Sequence, residues 1–277
     1  MRVRCSGSSP PRRVSERRAV NPKRQIPSIW ISTSTIVGIL TVWYLVTNLG
    51  LVGATYLPSP QSLLQSFMQL LTNGYQRVPL WEHIGISLFR ALCGFALGVA
   101  VGIPTGLITG YMRAADAAMS PIMAFLRPIP PIAFIPMAVL YFGLGEVGKI
   151  VLIFITAFNY AHVNAHSGAA HVPIAYIRAA ATLGLTPSQI FRKVVFPAAW
   201  PSIFTGLKVA MALSWAVVVA AELVGAQRGL GFMISDAAQM FQIPVVFIGI
   251  ALIGAIGLVL NIALGTAESK IVHWKGR

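Results

Sequence analysis

Six stretches of the chain lack the alternation of apolar and polar positions that a half-buried element shows. Trp30 to Leu51, Ile84 to Tyr111, Ile132 to Phe142, Val147 to Ala161, Ile203 to Ala221 and Val245 to Leu264 are largely uncharged. A helix crossing a bilayer needs about 20 such residues, rising 1.5 Å each through roughly 30 Å of hydrocarbon. Peptide groups left unpaired in lipid are so costly that only helices or closed barrels span it. The ten-residue alternating segments of a barrel are absent. The pattern therefore predicts an all-α, polytopic membrane protein with about six transmembrane helices, over 29–51, 84–111, 117–142, 147–166, 202–224 and 245–266.

The segments between these runs carry their own signals. Within 52–83, Ser59 is a good N-cap and Pro60 suits the first helical position. Leu63, Leu64, Phe67, Met68 and Leu71 form a stripe opposed by Ser62, Gln65, Ser66 and Gln69, and Asn73-Gly74 ends it. This predicts a short helix lying in the membrane interface, or packed on the rim of the bundle. The third span holds Pro128, Pro130 and Pro131 just after Arg127. Each removes a donor and clashes with the preceding turn, so the helix should kink or break there. Broken helices at membrane depth line cavities or lie buried in protein.

Residues 167–201 form the longest polar connection. Pro173 begins a helix through Ile174 to Leu183, and Gly184 stands at its C-terminal position. Thr186-Pro187-Ser188-Gln189 is a capping box that opens a second helix. Ile190, Phe191, Val194 and Val195 give that helix an apolar face opposite Arg192 and Lys193. Pro197 is expected to close it, and the chain to re-enter the bilayer at Pro201. Helices this short are marginal alone, since roughly 12 to 15 residues are needed in water. The hook at 173–197 must pack on a partner or on the membrane.

Composition agrees with lipid as the solvent: 56% of residues are hydrophobic and 10% charged, against about 25% charged in soluble domains. The net charge of +14 does not imply nucleic acid, because eight of the 21 basic residues lie between Arg2 and Arg24. That stretch, 1–27, is expected to be a disordered cytoplasmic tail. With the N-terminus inside, Arg113, Arg178, Arg192, Lys193, Lys270, Lys275 and Arg277 also fall inside, against Arg77, Lys149 and Arg228 outside. The positive-inside rule then puts both termini in the cytoplasm. Cys5 and Cys93 offer no disulfide framework and no metal spacing.

Candidate chemistry is sparse. Gly143 to Lys149 nearly spells a phosphate-binding loop, but Ile150 stands where Ser or Thr is needed, and the flanks are spans. No ATP site, catalytic cluster, cofactor or metal site is expected. His162 and His166 share a helical face, with no carboxylate near them in sequence. Asn159, His162, Asn164 and His166 are polar groups near the inner end of a span, where hydrogen bonding between helices is their ordinary role. An intramembrane charge marks a functional site. Arg127 suits an oxyanion or snorkels to the headgroups; Glu222 pairs or gates. Arg127, Pro130, Asn159, His162 and Glu222 are the pathway candidates. An ion-coupled transporter would want more buried acids than Glu222 alone, and a membrane enzyme a catalytic grouping.

The hook resembles the signature of permease subunits in bacterial ATP-binding-cassette importers: Glu-Ala-Ala, three residues, Gly, nine residues, Ile-x-Leu-Pro. Here Arg178-Ala179-Ala180, Gly184 and Val194-Val195-Phe196-Pro197 occupy those places, with Arg178 where the family has glutamate. Arg127-Pro128-Ile129-Pro130-Pro131, Tyr141 to Glu146, Ala220-Ala221-Glu222-Leu223, Gly229 to Met233 and Trp274-x-Gly276 are similar to the taurine, aliphatic sulfonate and nitrate branch. The resemblance covers roughly 28–277. It implies a type I importer permease in the bacterial inner membrane, working as a homodimer. Two cytoplasmic ATPase subunits would grip the hooks at Arg178, Ala179, Ala180, Gly184, Val194, Phe196 and Pro197. An outer substrate-binding protein, periplasmic or lipid-anchored, would deliver taurine or a related alkanesulfonate, with nitrate, bicarbonate or another small solute as alternatives. Membrane lipid is a further partner; nucleic acid is not.

Overall fold

The computed structural model describes residues 28–53 and 56–273. The tail 1–27 and the Trp274-x-Gly276 ending lie outside the described residues. The chain divides into two units at Leu51.

The first unit is a single helix, α1 (Ser28–Asn48). It is largely apolar, and several of its hydroxyls bond to its own backbone. Thr35 donates to Ile31 O, Thr41 to Val37 O and Thr47 to Trp43 O, at 2.8–3.0 Å. Such back-bonding lets a polar side chain sit in lipid.

The second unit holds the remaining elements. These are α2 (Pro60–Asn73), α3 (Leu80–Tyr111), α4 (Arg113–Leu126), a 3-10 turn (Pro131–Phe134), α5 (Ile135–Phe142) and α6 (Glu146–Ala170). They are followed by α7 (Ile174–Thr182), α8 (Pro187–Ile190), a π turn (Phe191–Val195), α9 (Phe196–Gly225), α10 (Leu230–Gln239) and α11 (Ile243–Ile271). Among the described residues five helices are long and apolar enough to span a bilayer, and α4 with α5 makes a sixth, bent by 84°. The all-helical expectation of about six spans holds.

The bundle is built on a parallel pair, α3 and α6, joined by interleaved small residues. Gly94, Gly98, Gly102, Gly106 and Gly110 recur every fourth position along α3. A Cβ on Gly98 would meet Ala157 Cβ at 2.6 Å, and one on Gly106 would meet His162 O at 2.3 Å. Lipid supplies no hydrophobic drive between helices, so close backbone approach through such stripes is how they associate. Antiparallel α9 packs on another face of α6, with Gly206 against Asn164 and Gly168 against Ala199 and Ser202.

Two apolar clusters fill the ends of this bundle. One gathers Leu80, Ile153, Trp215, Val218, Leu230 and Met233 near the N-terminus of α3. The other gathers Leu107, Ile190, Val195, Phe204 and Val272 beside the segment 173–197. They define a ledge end and a hook end.

Several boundaries move. The third span begins at Arg113, not 117, and Pro128, Pro130 and Pro131 break it outright. Pro197 does not close the second hook helix, nor does Pro201 begin a new span. Pro187 to Gly225 runs as one 39-residue helical stretch. Proline clashes with the carbonyl four residues back. The π turn before Pro197 absorbs that clash, with Phe196 N–H donating to Phe191 O. The short helix α2 starts and stops as expected, with Ser59 Oγ accepting from Ser62 N–H at 3.2 Å. It serves both readings of its stripe: Leu63, Phe67 and Leu70 face the core, while Leu64, Met68 and Leu71 stay exposed.

Candidate functional site

The hook is a two-armed projection. Its first arm, α7, ends at Gly184, whose φ of 80° needs glycine's freedom. The capping box is complete: Gln189 N–H donates to Thr186 Oγ1, and Thr186 N–H to Gln189 Oε1 at 2.9 Å. Its second arm runs through the π turn into α9 without interruption. At the root, Tyr111 donates to Pro187 O at 3.1 Å and its ring lies 5.3 Å from that of Phe191. Ala180 and Ile190 are buried between the arms and the bundle, while Arg178, Ala179, Arg192 and Lys193 are exposed and Leu183 is 80% exposed at the tip. Val194, Phe196 and Pro197 are half-buried where the second arm meets the bundle. The matched motif residues thus form one continuous, externally presented feature.

Of the pathway candidates, the structure brings Arg127 and His162 together. Both line a cavity of about 270 Å³ between α3, α4 and α6, with Thr109, Asp116, Ser120 and His166. Arg127 caps α4 at the break, exposed and without an ion pair among the described residues, and Pro130 opens the 3-10 turn beyond it. His162 Nδ1 lies 3.1 Å from the Thr105 hydroxyl. Asn159 shares the face of His162, Val163 and His166 by helical spacing; it is 8% exposed and its Oδ1 has no hydrogen-bond partner. A carboxylate does reach one of the histidines, contrary to the expectation from sequence: Asp116 Oδ1 lies 3.0 Å from His166 Nε2. It comes from α4, fifty positions away, so local spacing gave no sign of it.

Glu222 lies elsewhere, 1% exposed at the ledge end. Arg90 donates to it from Nη1 at 2.7 Å, Ser87 at 2.8 Å and the Gly231 N–H at 2.9 Å. The same guanidinium donates twice to Glu146, at 2.6 Å each, and to Arg228 O at 2.9 Å. Gly229 and Gly231 are glycines because a Cβ on either would come within 2.7 Å of Glu222. The Ala-Ala-Glu-Leu and Gly-Leu-Gly motifs are thus two halves of one clasp. Sequence reading missed Arg90, which an intramembrane charge should have flagged, and Lys208, which pairs with Glu268.

The loop Gly74–Pro79 adds a further contact at this end. Tyr75 donates to Asp236 Oδ2 at 2.6 Å. Burial first, then the hydrogen bond and negative charge of Asp236, push the Tyr75 phenol well above its usual range.

Residues 102–273 match the family described as the binding-protein-dependent transport system inner membrane component. The taurine transport system permease protein TauC of Escherichia coli K12 is 35% identical over 249 residues, 90% of each chain. The putative aliphatic sulfonates transport permease protein SsuC of Bacillus subtilis is 33% identical over 237 residues, 86% of this chain and 84% of its own. Among solved structures, an inward-facing MetNI methionine ABC transporter superposes with a TM-score of 0.59 at 21% identity, covering 72% of this chain and 98% of that one. This likeness concerns the fold. The chain belongs to the family of inner-membrane components of binding-protein-dependent transport systems, as a membrane-spanning permease subunit.

Proposed function

We propose that this permease subunit carries taurine or a related alkanesulfonate inward, as half of a homodimer driven by two separate ATP-hydrolysing subunits. The hook end faces the cytoplasm, with both termini, and the ledge end faces outward to receive a substrate-binding protein. ATP is hydrolysed on the partner subunits, each gripping one hook at Arg178, Ala179, Ala180, Gly184, Val194, Phe196 and Pro197.

The observation that carries this reading is the unbroken helical path from Pro187 through the π turn to Gly225. A force on the exposed arm is delivered to a spanning helix without a flexible linker. The cavity at the broken span supports an anionic solute, because Arg127 offers a guanidinium fork free to accept a sulfonate. Pro130, Asn159 and His162 shape the same stretch of path, while Glu222 holds its outer end together.

Uptake of taurine into vesicles containing the permease with its ATPase subunits and binding protein tests the proposal. Uptake is expected to require ATP inside, and Arg127→Gln to lower it with hydrolysis retained. Gly184→Val should uncouple hydrolysis from uptake, because a β-branched residue resists the left-handed bend. Uptake sustained by an ion gradient without the ATPase subunits overturns the proposal.

A further inference from the structure

Asp116 and Arg127 are opposite charges on one face of α4 that open on the same cavity without meeting. With Ser120 and Met123 they stand at i, i+4, i+7 and i+11, and all four line the space of about 270 Å³ against α6. Their Cα atoms lie about 16 Å apart along the axis at 1.5 Å per residue, and no ion pair joins them. Long side chains at helical positions lean toward the N-terminus. That is the direction in which every other α4 residue of the cavity lies from Arg127.

The two charges keep bonding capacity that the protein does not use. Ser120 donates to Asp116 Oδ1 at 2.5 Å, and His166 Nε2 lies 3.0 Å from the same oxygen. Oδ2 has no hydrogen-bond partner among the described residues. The carboxylate is thus anchored from α4 and α6 while one of its oxygens stays open. The Arg127 guanidinium has neither a hydrogen bond nor an ion pair among the described residues.

A charge within a membrane domain ordinarily pairs or marks a substrate path. Two opposite charges held apart in one cavity suit a ligand with two poles. A bare anion would be drawn to Arg127 and repelled by Asp116, and a bare cation would meet the reverse. A zwitterion gains at both ends. Met123 and Val163, which also line the space, offer apolar contact to a short carbon link between the poles. The volume is just under the roughly 300 Å³ at which sites for drug-sized ligands begin, so the ligand is small.

We propose that this cavity selects a zwitterionic aminoalkanesulfonate, its sulfonate on Arg127 and its ammonium on Asp116 Oδ2. The inference rests on the transport reading above and narrows it. The permease itself, and not only the protein that delivers the solute, discriminates against sulfonates without an amine, nitrate and bicarbonate.

The test uses the purified assembly of permease and ATPase subunits without the binding protein, so that selection by the permease alone is read. Competition against radiolabelled taurine is measured with taurine, with ethanesulfonate, which lacks the amine, and with ethylamine, which lacks the sulfonate. In the parent each one-poled analogue should compete at least about tenfold more weakly than taurine, because a site built for a polar group rejects the analogue that leaves its partner unpaired. Asp116→Asn keeps the shape and loses the charge. It should weaken taurine about tenfold and leave ethanesulfonate binding as well as taurine or better. Arg127→Gln should weaken taurine and ethanesulfonate together and leave ethylamine unaffected. Ethanesulfonate that competes as well as taurine in the parent overturns the proposal, whatever becomes of the variants. So does an Asp116→Asn assembly that keeps the parent's preference. A parent assembly that binds no taurine, yet takes it up with ATP in vesicles once the binding protein is added, also overturns the proposal and leaves the transport reading standing. If ATP-driven taurine uptake is absent as well, the transport reading falls with it.

Discussion

Arg90 on α3 and Glu222 on α9 form a buried ion pair, Nη1 to Oε1 at 2.7 Å, with side-chain exposures of 3% and 0%. Burying two charges is costly, and the geometry offsets that cost only when every lone pair and proton is used. Here Ser87, the Gly231 N–H, Glu146 and the Arg228 carbonyl complete the set. The pair pins α3, α6, α9 and α10 at one point. Arg90→Leu leaves Glu222 buried without its cation and should destabilise the folded protein by about 3–5 kcal/mol. Arg90→Leu with Glu222→Leu should recover most of that loss. Thermal unfolding of the purified permease in detergent measures both, and equal losses in the single and double variants would mean the pair is not what holds the clasp.

The α3–α6 seam gives a prediction of the opposite kind, by adding atoms. A methyl at Gly98 would sit 2.6 Å from Ala157 Cβ and 2.7 Å from Phe154 O. Backbone cannot step aside as a flexible side chain can, so Gly98→Ala should cost about 1–3 kcal/mol by overpacking. Gly254→Ala in α11 has nothing within 4 Å. It should be neutral or stabilise by up to about 1 kcal/mol through helix propensity. The same unfolding assay on the two variants separates seam packing from a general effect of glycine replacement.

That seam also shows where the sequence was legible and where it was not. The spans, the cap at Ser59, the bend at Gly184 and the box at Thr186 to Gln189 are local, and local chemistry decides them. The four-residue glycine repeat from Gly94 to Gly110 was equally plain but is informative only once its partner, α6, is known. Pro197 was misread because proline usually stops a helix, and a π turn that absorbs the clash leaves no mark in the sequence. Arg90, Asp116 and Glu146 find their partners across 50 positions or more. No spacing rule reaches that far. The pathway residues Arg127, Pro130, Asn159 and His162 could be chosen by residue type, and the limits of the fifth span already put Glu222 near the outer end; its partners there, Arg90 and Ser87, could not be read.

Tyr75 supplies a prediction at alkaline pH. Burial and Asp236 raise the pKa of its phenol, so the folded form favours the protonated ring. The sign follows: its contribution is whole below the ordinary tyrosine pKa, near 10, and is lost only as pH climbs through the raised folded value. Absorbance titration of the phenolates should therefore show one tyrosine ionising after the exposed ones, and Tyr75→Phe should remove that last step. A last step that persists in Tyr75→Phe assigns it to another tyrosine and denies the Asp236 contact.

The π turn at Phe191–Val195 fixes the rotational aim of the hook relative to α9. Pro197 follows the turn directly, where its ring crowds the carbonyl four residues back. Pro197→Ala removes the clash and restores a donor, so the turn is free to tighten into α-helix. Losing the extra residue of a π turn rotates everything before it by about one residue, roughly 100°. Tyr111 would then lose Pro187 O and the ring of Phe191, and Leu183 would leave its present direction. The variant should insert normally and be no less stable, since a proline inside a helix is disfavoured by about 3 kcal/mol relative to alanine. Yet stimulated ATP hydrolysis and taurine uptake should part company. A stable Pro197→Ala transporter that remains fully coupled would mean that the hook's direction is set elsewhere.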